Sequence, residues 1–216
     1  MFKAYIFDCD GVLFDSLDAN IAFYNAILTA FHKPPMQKEQ IEYIHMATAE
    51  ESVAYLFQGD PRLDDAQRLR LSIDYHRFIP YMKLAPGAMD VLATLKKKGK
   101  SLAICTNRST SMKAILDNFN LTPFFDCVVT ALKVRNPKPD PEGLLLILKS
   151  LNLQPEESLY LGDSILDQQA ARAAGIPFAA FQCPELNADY SIENFWQILS
   201  IQPNKKGVHH AHYRRN

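Results

Sequence analysis

A short apolar run near the N-terminus is the first element that the sequence pattern predicts. Residues 3–7 are rich in aliphatic and aromatic side chains and alternate only weakly, which is typical of a buried strand. From residue 16 to about 31, "SLDANIAFYNAILTAF" places apolar residues at the spacing of one helical face. A Pro-Pro pair at 34–35 then breaks this helix.

Three more helical stretches follow before residue 85. They are "KEQIEYIHMA", "TAEESVAYLF" and "DDAQRLRLSIDYHRFI". The second opens with a capping-box pattern, in which Thr48 precedes Glu51 by three residues. We therefore expect an all-helical block whose helices pack as hairpins.

Beyond residue 85 the pattern changes to an alternation of helices and short apolar strands. A turn at Pro86 and Gly87 leads into a helix from Ala88 to about Lys98, and "SLAICT" follows as a strand. The later segments alternate helix and strand in the order "STSMKAILDNF", "CVVTA", "PEGLLLILKSL", "SLYLGD", "LDQQAARAAG" and "PFAAF". Strands separated by helices of this length specify right-handed crossovers and a parallel sheet covered on both faces.

These two patterns predict an insertion architecture. The first strand belongs to the parallel sheet although the helical block follows it, so the fold class is α/β with an inserted all-helical domain. We place the α/β core at residues 1–15 and 85–202, and the helical domain at 16–84. Residues 203–216 are predicted to be a flexible tail, and its histidines are more typical of a disordered end than of a metal site.

Composition and charge exclude several classes of function. The 216 residues are 48% hydrophobic and 22% charged, with a formal net charge of −1, so we expect no binding to nucleic acid or to an anionic membrane. No apolar run approaches the ~20 residues of a membrane-spanning helix, and the pattern of a signal peptide is absent. The four cysteines have no CxxC spacing, which indicates free thiols and a cytoplasmic protein.

Polar residues cluster at one edge of the predicted sheet, where parallel α/β proteins bind ligands. They are Asp8 and Asp10 after the first strand, Thr106, Asn107 and Arg108 after "SLAICT", Lys138 before a helix, and Asp163 and Asp167 after "SLYLG". Like charges a few ångströms apart resist joint ionisation. The converging carboxylates therefore predict a metal ion or a reaction at this edge.

Each of these residues also has an ordinary structural explanation. An aspartate at a strand end often caps the following helix, as "GDS" could. Thr106 fits β propensity, and Lys138 could be a surface lysine. The indication of catalysis comes from their combination and order.

In this order the motifs resemble those of the haloacid dehalogenase-like superfamily. The motifs are "DCDGV" at 8–12, Thr106, Lys138 within "PKPDPE", and "GDSILD" at 162–167. The helical insertion resembles the branch that contains phosphoglycolate phosphatases and β-phosphoglucomutases. The resemblance spans residues 1 to about 183 and implies a Rossmann-like sheet of roughly five strands with a helical cap.

The resemblance also implies a role for each carboxylate. Asp8 resembles the nucleophile, which forms an aspartyl-phosphate, and Asp10 the general acid that protonates the departing alcohol and then activates water. Asp8, Asp163 and the backbone carbonyl of Asp10 would hold Mg²⁺. Asp167 would be a ligand directly, a ligand through water, or a residue that orients Lys138.

The remaining residues are implied to hold the substrate. The Thr106 hydroxyl and the backbone N–H of Asn107 would bind the phosphoryl group, and Lys138 would pair with the nucleophile and the phosphate. We expect Arg108 and His45 to contact the leaving group, although His45 could equally be a histidine on a helix surface.

Two positions at which the sequence differs from members of the superfamily reduce the number of reactions to be expected. Dehalogenases of this fold have no aspartate at the position of Asp10, because halide leaves without a proton, so Asp10 indicates a phosphate ester. β-Phosphoglucomutases carry a histidine at the position of Asn20, and an amide cannot shuttle protons. The expected activity is Mg²⁺-dependent hydrolysis of a small phosphate monoester, with phosphoglycolate as the nearest named substrate.

Other functions on the same fold stay open at the level of sequence. They are a phosphosugar mutase, a pyrophosphatase or nucleotidase, and a non-enzymatic sensor or subunit. The expected partner is a small phosphorylated metabolite, without nucleic acid or membrane, and the protein is expected to be a monomer or homodimer.

Overall fold

Strands and helices follow one another along the chain in the predicted alternation. The computed structural model describes residues 1–203, without the side chains at positions 45 and 46, so the tail from 204 onward lies outside the described residues. The strands are β1 (Ala4–Phe7), β2 (Phe14–Asp15), β3 (Lys83–Leu84), β4 (Ser101–Cys105), β5 (Cys127–Val129), β6 (Ser158–Gly162), β7 (Phe178–Phe181) and β8 (Tyr190–Ile192). The helices are α1 (Leu17–Ala30), α2 (Lys38–Met46), α3 (Ala49–Leu56), α4 (Leu63–Ser72), α5 (Ala88–Lys97), α6 (Met112–Asn118), α7 (Glu142–Leu151) and α8 (Ile165–Ala174). None of these described helices is both long and apolar enough to cross a membrane.

The main sheet has six strands, all parallel, in the order β5-β4-β1-β6-β7-β8. The apolar N-terminal run, β1, lies at its centre between β4 and β6, as a strand buried on both faces should. This confirms the predicted Rossmann-like α/β class. The edge strand β8 was not predicted, because its three residues are too short to show a periodicity.

Alternation along β1 divides the hydrophobic core between the two faces of the sheet. Tyr5 and Phe7 point into the larger cluster, with α5 and apolar residues of α1–α4. Ile6 points into the second cluster, with α7 and α8. The strand therefore joins both cores and ends directly at Asp8, which places the first predicted site residue at the carboxyl edge of the sheet.

Helices α1–α4 form the insertion between β2 and β3, and we refer to them as the cap. The two short strands pair antiparallel, with Phe14 opposite Leu84, and we propose this ladder as the joint between core and cap. Helix α3 begins with the predicted capping box. The Thr48 Oγ1 atom accepts from the Glu51 N–H at 3.2 Å, and Glu51 Oε2 accepts from the Thr48 N–H at 2.9 Å.

The last predicted cap helix is shorter than expected. Helix α4 ends at Ser72, and the rest of "DDAQRLRLSIDYHRFI" forms two 3₁₀ turns at Tyr75–Arg77 and Ile79–Tyr81. The Asp74 side chain accepts from the His76 N–H at 3.0 Å. A side chain that caps the backbone in this way competes with continuation of the helix, which explains the break.

Candidate active site

A cavity of about 300 Å³ lies between the carboxyl ends of β1, β4 and β6 and the cap. Most of the predicted site residues line it: Asp8, Asp10, Thr106, Asn107, Arg108, Lys138 and Asp163. The structure thus brings together residues from four separate places in the sequence. The side chain of His45 lies outside the described part of the protein, so its contact with a leaving group stays a prediction.

Three carboxylates form a compact cluster at the floor of this cavity. One oxygen from each of Asp8, Asp163 and Asp167 lies within 4.8 Å of the other two. The backbone of Asp8 is fixed to the neighbouring strand, because its N–H donates to the Leu161 carbonyl at 2.9 Å. The predicted convergence of β1 with the "GDSILD" motif is therefore present in the fold.

Gly11 makes room for one of these carboxylates. A Cβ atom at this position would lie 1.8 Å from Asp163 Oδ2, and the residue has a φ of +71°. Both the close approach and the left-handed backbone require glycine. The glycine that follows Asp8 and Asp10 thus makes room for Asp163.

Lys138 bridges two of the carboxylates. Its Nζ atom lies 2.9 Å from Asp8 Oδ1 and 2.6 Å from Asp167 Oδ1. The Asn107 side chain holds the backbone of Lys138 by two hydrogen bonds, accepting from its N–H at 3.0 Å and donating to its carbonyl at 3.1 Å. The amide of Asn107 therefore fixes the lysine, a function that the sequence did not indicate.

Asp167 is fully buried, and both of its oxygens accept hydrogen bonds. Oδ1 accepts from Lys138 and from the Tyr160 hydroxyl at 2.5 Å, and Oδ2 accepts from the Ser164 N–H at 3.1 Å and hydroxyl at 2.6 Å. Four donors occupy the acceptor positions that a metal ion would otherwise use. This geometry favours the predicted role of Asp167 in orienting Lys138 over that of a direct metal ligand.

Burial and neighbouring charges shift the pKa values of the charged residues in the site in different directions. Burial raises the pKa of Asp8 to about 7 despite the nearby Lys138, and it raises the pKa of Asp163 to about 8 with the help of the charges on Asp8 and Asp167. Burial opposes the charge on Lys138, but Asp167 and Asp8 raise its pKa above the usual range. Burial also opposes ionisation of Asp167, yet Lys138 and the hydrogen bonds lower its pKa.

The donor set fits a hard divalent cation. Asp8 and Asp163 present carboxylate oxygens, the ligand type that Mg²⁺ prefers. Their raised pKa values reflect two carboxylates whose charged forms are destabilised by desolvation and by mutual repulsion, and a cation between them would relieve both effects. The chemistry of the cluster therefore agrees with the expected cofactor.

Asp10 pairs with Arg108 across 98 residues of sequence. The arginine donates from Nε to Oδ2 at 2.8 Å and from Nη2 to Oδ1 at 2.6 Å, and the Ser16 hydroxyl donates to the same carboxylate. A bidentate arginine–carboxylate pair is among the stronger polar contacts in proteins. Arg108, which we expected at the leaving group, lines the cavity and also holds the predicted general acid.

Arg108 also connects the core to the cap. Its Nη2 atom donates to Asn20 Oδ1 at 3.1 Å, and its guanidinium carbon lies 5.1 Å from the centre of the Tyr75 ring. The Tyr75 hydroxyl donates to the same Asn20 oxygen at 3.2 Å. On the core side, Thr106 Oγ1 accepts from the Arg108 N–H at 3.1 Å, which keeps the threonine at the cavity wall.

Sequence reasoning missed several residues that shape the site. Tyr160 lies in a strand that looked purely apolar, but a buried phenol needs a hydrogen-bond partner, and that requirement was an available signal. The helix cap within "GDS" is Ser164, whose Oγ accepts from the Asp167 N–H at 3.3 Å; the strand-end aspartate Asp163 is not the cap. No signal in the sequence marked the cap residues Arg70 and Tyr75, which line the cavity.

Comparison with known proteins gives consistent matches. The sequence model of the haloacid dehalogenase-like hydrolase family matches residues 5–181. Phosphoglycolate phosphatase 1 of Pseudomonas aeruginosa is 30% identical over 190 residues, which cover 82% of this chain and 68% of that protein. N-acetylmuramic acid 6-phosphate phosphatase of Pseudomonas putida is 32% identical over 182 residues, which cover 82% of each protein.

A solved structure extends the similarity to three dimensions. The crystal structure of a HAD-superfamily hydrolase of subfamily IA, variant 1, from Geobacter sulfurreducens is 40% identical. It matches with a TM-score of 0.76 over 92% of this chain and 95% of its own. The matched length includes both the sheet and the inserted helices.

Proposed function

The chain belongs to the haloacid dehalogenase-like hydrolase family, as one of its phosphatases, and from this we propose that it hydrolyses a small phosphate monoester through an aspartyl-phosphate with bound Mg²⁺. The observation that carries the mechanism is the contact of Lys138 with Asp8 in a cluster that also contains Asp163. Both the nucleophile and its substrate are anionic, so their approach requires positive charge at this position.

In the proposed first step, an oxygen of Asp8 forms a bond to phosphorus while the bond from phosphorus to the ester oxygen breaks. Asp10 gives its proton to the departing alcohol. The Thr106 hydroxyl and the Asn107 N–H hold the phosphoryl oxygens, and Lys138 neutralises part of their charge. A bound Mg²⁺ would be held by Asp8, Asp163 and the Asp10 carbonyl, and would supply further charge neutralisation.

In the second step, Asp10 accepts a proton from the water that attacks phosphorus and releases Asp8. The pair with Arg108 favours the ionised form of Asp10, which suits this step. The first step needs a protonated Asp10, so the proposal places the proton on Oδ2. Arg108 Nε then gives up its hydrogen bond to Oδ2, while Nη2 keeps its bond to Oδ1 and Arg108 stays with Asp10. Asp167 takes part indirectly, by orienting Lys138.

The names of the relatives bear on the substrate. Phosphoglycolate and N-acetylmuramic acid 6-phosphate are both phosphate monoesters of molecules that carry a carboxyl group. A cavity of about 300 Å³ is at the small end of the range for ligand pockets. We therefore propose a small phosphorylated acid, with phosphoglycolate as the nearest named compound, and a cytoplasmic monomer or homodimer.

Two competing functions are less well supported by the site. The oxygen of Asn20 is engaged by Arg108 and Tyr75, and an amide cannot relay protons as a mutase requires. A sensor or subunit derived from this fold should have lost a nucleophile, an acid or a ligand, but Asp8, Asp10 and Asp163 all line the cavity. A pyrophosphatase or nucleotidase would use the same machinery and differs only in the leaving group.

The direct test is turnover of para-nitrophenyl phosphate, followed by a panel of phosphorylated acids, sugars, nucleotides and pyrophosphate. We expect activity with Mg²⁺, none after EDTA, and a loss of about 10⁴-fold or more in kcat for Asp8→Asn. Asp18→Asn, at an exposed aspartate in the first turn of α1, is the matched control and should remain active. Absence of turnover on every ester by folded, metal-loaded protein would contradict the proposal.

A further inference from the structure

The cap wall of the cavity is mainly apolar, apart from one charged residue. Its side chains include Phe23, Ile44 and Ile73, together with Asn20, whose oxygen is already engaged. Among the described residues that the cap contributes to the cavity, Arg70 of α4 is the one with a full charge. A positive charge beside apolar side chains requires either solvent or an anionic ligand.

Arg70 is held on one side and open on the other. Its Nε atom donates to Gln67 Oε1 at 2.7 Å, and Gln67 Nε2 donates to the carbonyl of Glu50 at 2.8 Å. The guanidinium is thereby fixed to the start of α3. Within the described part of the chain, neither of its Nη atoms has a hydrogen-bond partner and no carboxylate forms an ion pair with it.

Two other cationic residues line the cavity in the described part of the chain, and both are paired with carboxylates. Lys138 contacts Asp8 and Asp167, and Arg108 donates two hydrogen bonds to Asp10. Arg70 lines the same cavity without such a partner among the described residues. Its two Nη donors form a planar fork that matches the geometry of a carboxylate or a phosphate.

We propose that Arg70 determines specificity by binding a second anionic group of the substrate, on the part that leaves as the alcohol. The group is a carboxylate or a phosphate, and the substrate is thus negatively charged at both ends. This proposal rests on the proposed function, because it places the reacting phosphate at Asp8 and the second anion at the cap wall. The apolar side chains of the cap wall would lower the local dielectric constant around the bound anion and so strengthen the contact.

The test compares three small esters that differ at the far end. The probes are 2-phosphoglycolate with a carboxylate, 1,2-ethanediol bisphosphate with a second phosphate, and 2-hydroxyethyl phosphate with a neutral hydroxyl. Their affinities are measured by calorimetry with Mg²⁺ in an Asp8→Asn background, with and without Arg70→Gln. Arg68→Gln is the matched control, since Arg68 lies on the same helix, is exposed, and pairs with Asp65 instead.

We expect Arg70→Gln to weaken one or both anionic probes by about 10- to 100-fold relative to the neutral probe. Arg68→Gln should leave this ratio unchanged. The anion that loses the most affinity identifies the group that Arg70 binds. Equal losses for all three probes, an unchanged ratio, or no binding of the anionic probes before the substitution would overturn the proposal.

Binding and turnover give separate answers. Turnover of para-nitrophenyl phosphate by the wild-type protein reports on the hydrolysis mechanism and does not need a second anion. If that turnover is absent but Arg70→Gln still changes the affinity ratio, the proposed function fails while Arg70 remains an anion-binding residue. If turnover is present and the ratio is unchanged, only the assignment of Arg70 fails.

Discussion

On the core wall of the cavity, charged groups contact one another, whereas the cap wall carries an arginine with no ionic partner among the described residues. Asp8, Lys138 and Asp167 form a chain of contacts at 2.6–2.9 Å, and both oxygens of Asp167 accept hydrogen bonds. Among the residues that the structure describes, the guanidinium of Arg70 has a hydrogen bond to Gln67 alone. A network with every member satisfied is rigid, while a half-satisfied one can accept a ligand. In the function that we propose, the chemical step therefore belongs to the core and the choice of substrate to the cap.

Among the variants that compare the two walls and keep every proposed catalytic group, the largest effect is expected from Gly11→Ala in the core wall. The new Cβ would lie 1.8 Å from Asp163 Oδ2, so Asp163 must move. A displacement of about 1 Å at a catalytic site costs about 100-fold in rate. We expect that loss in kcat/KM for para-nitrophenyl phosphate, with weaker Mg²⁺ binding.

The matched control for this variant lies in the cap. Gly59 also has a positive φ, +74°, but a Cβ there meets nothing within 4 Å. Gly59→Ala should share the backbone cost of about 1 kcal/mol in stability and keep its activity. If the two variants lose activity equally, the clash with Asp163 is not the cause.

An intermediate effect is expected when one carboxylate is neutralised in the core or in the cap, as Asp163→Asn or Asp60→Asn. The quantity compared is the free energy of unfolding at several pH values. The folded pKa of Asp163 is raised from 3.8 to about 8, so the folded protein holds a proton that the unfolded chain releases. The metal-free protein should therefore lose stability as pH rises from about 4 to about 8. Asp163→Asn should remove part of this loss, and be more stable than the wild type at pH 8 in EDTA.

In the cap, Asp60→Asn is expected to change the free energy of unfolding in the opposite direction. Arg62 and Lys33 lower the pKa of Asp60, so this carboxylate stabilises the fold above its unfolded pKa, and the contribution disappears as pH falls. Asp60→Asn should be less stable than wild type at pH 8, with the difference shrinking below about pH 4. Urea unfolding at several pH values measures both variants, and added Mg²⁺ should stabilise Asp60→Asn but not Asp163→Asn.

The smallest effect is expected for Tyr75→Phe in the cap. The variant loses the hydrogen bond to Asn20 but keeps the ring beside Arg108. We expect a loss of about 0.5–1.5 kcal/mol in the free energy of unfolding and a change in kcat/KM for para-nitrophenyl phosphate of at most about threefold. A loss as large as that of Gly11→Ala would mean that the cap wall takes part in the chemistry.

The core side of the site was accessible to prediction because topology alone brings its residues together. The carboxyl ends of parallel strands meet at one edge, so Asp8, Thr106 and Asp163 could be placed side by side from the order of strands and helices. Lys138 was harder to place, since it follows no strand directly, and its role beside Asp8 came from the resemblance to a family. The structure then showed the contact with Asp8 at 2.9 Å.

The cap side was not accessible, because helix packing decides which residues face the cavity. Arg70 and Tyr75 look like ordinary polar and aromatic residues in a helical pattern, and their position depends on how α4 and the following turns pack. The partnership of Asp10 with Arg108 likewise depends on side-chain geometry rather than on spacing. The two-residue strands β2 and β3 and the 3₁₀ turns are too short to produce a periodicity.

Because β1 lies between two cores, its length determines both how its side chains pack and where Asp8 lies. The side chains of successive residues in β1 point to opposite faces of the sheet, and Asp8, the proposed nucleophile, follows the last of them directly. Deleting a single amino acid here would swap the faces of the side chains before it and retract Asp8 by one rise of about 3.3 Å. An insertion in a loop of the cap changes neither the facing of these side chains nor the position of Asp8, so we expect such insertions to be tolerated far better than a change in the length of β1.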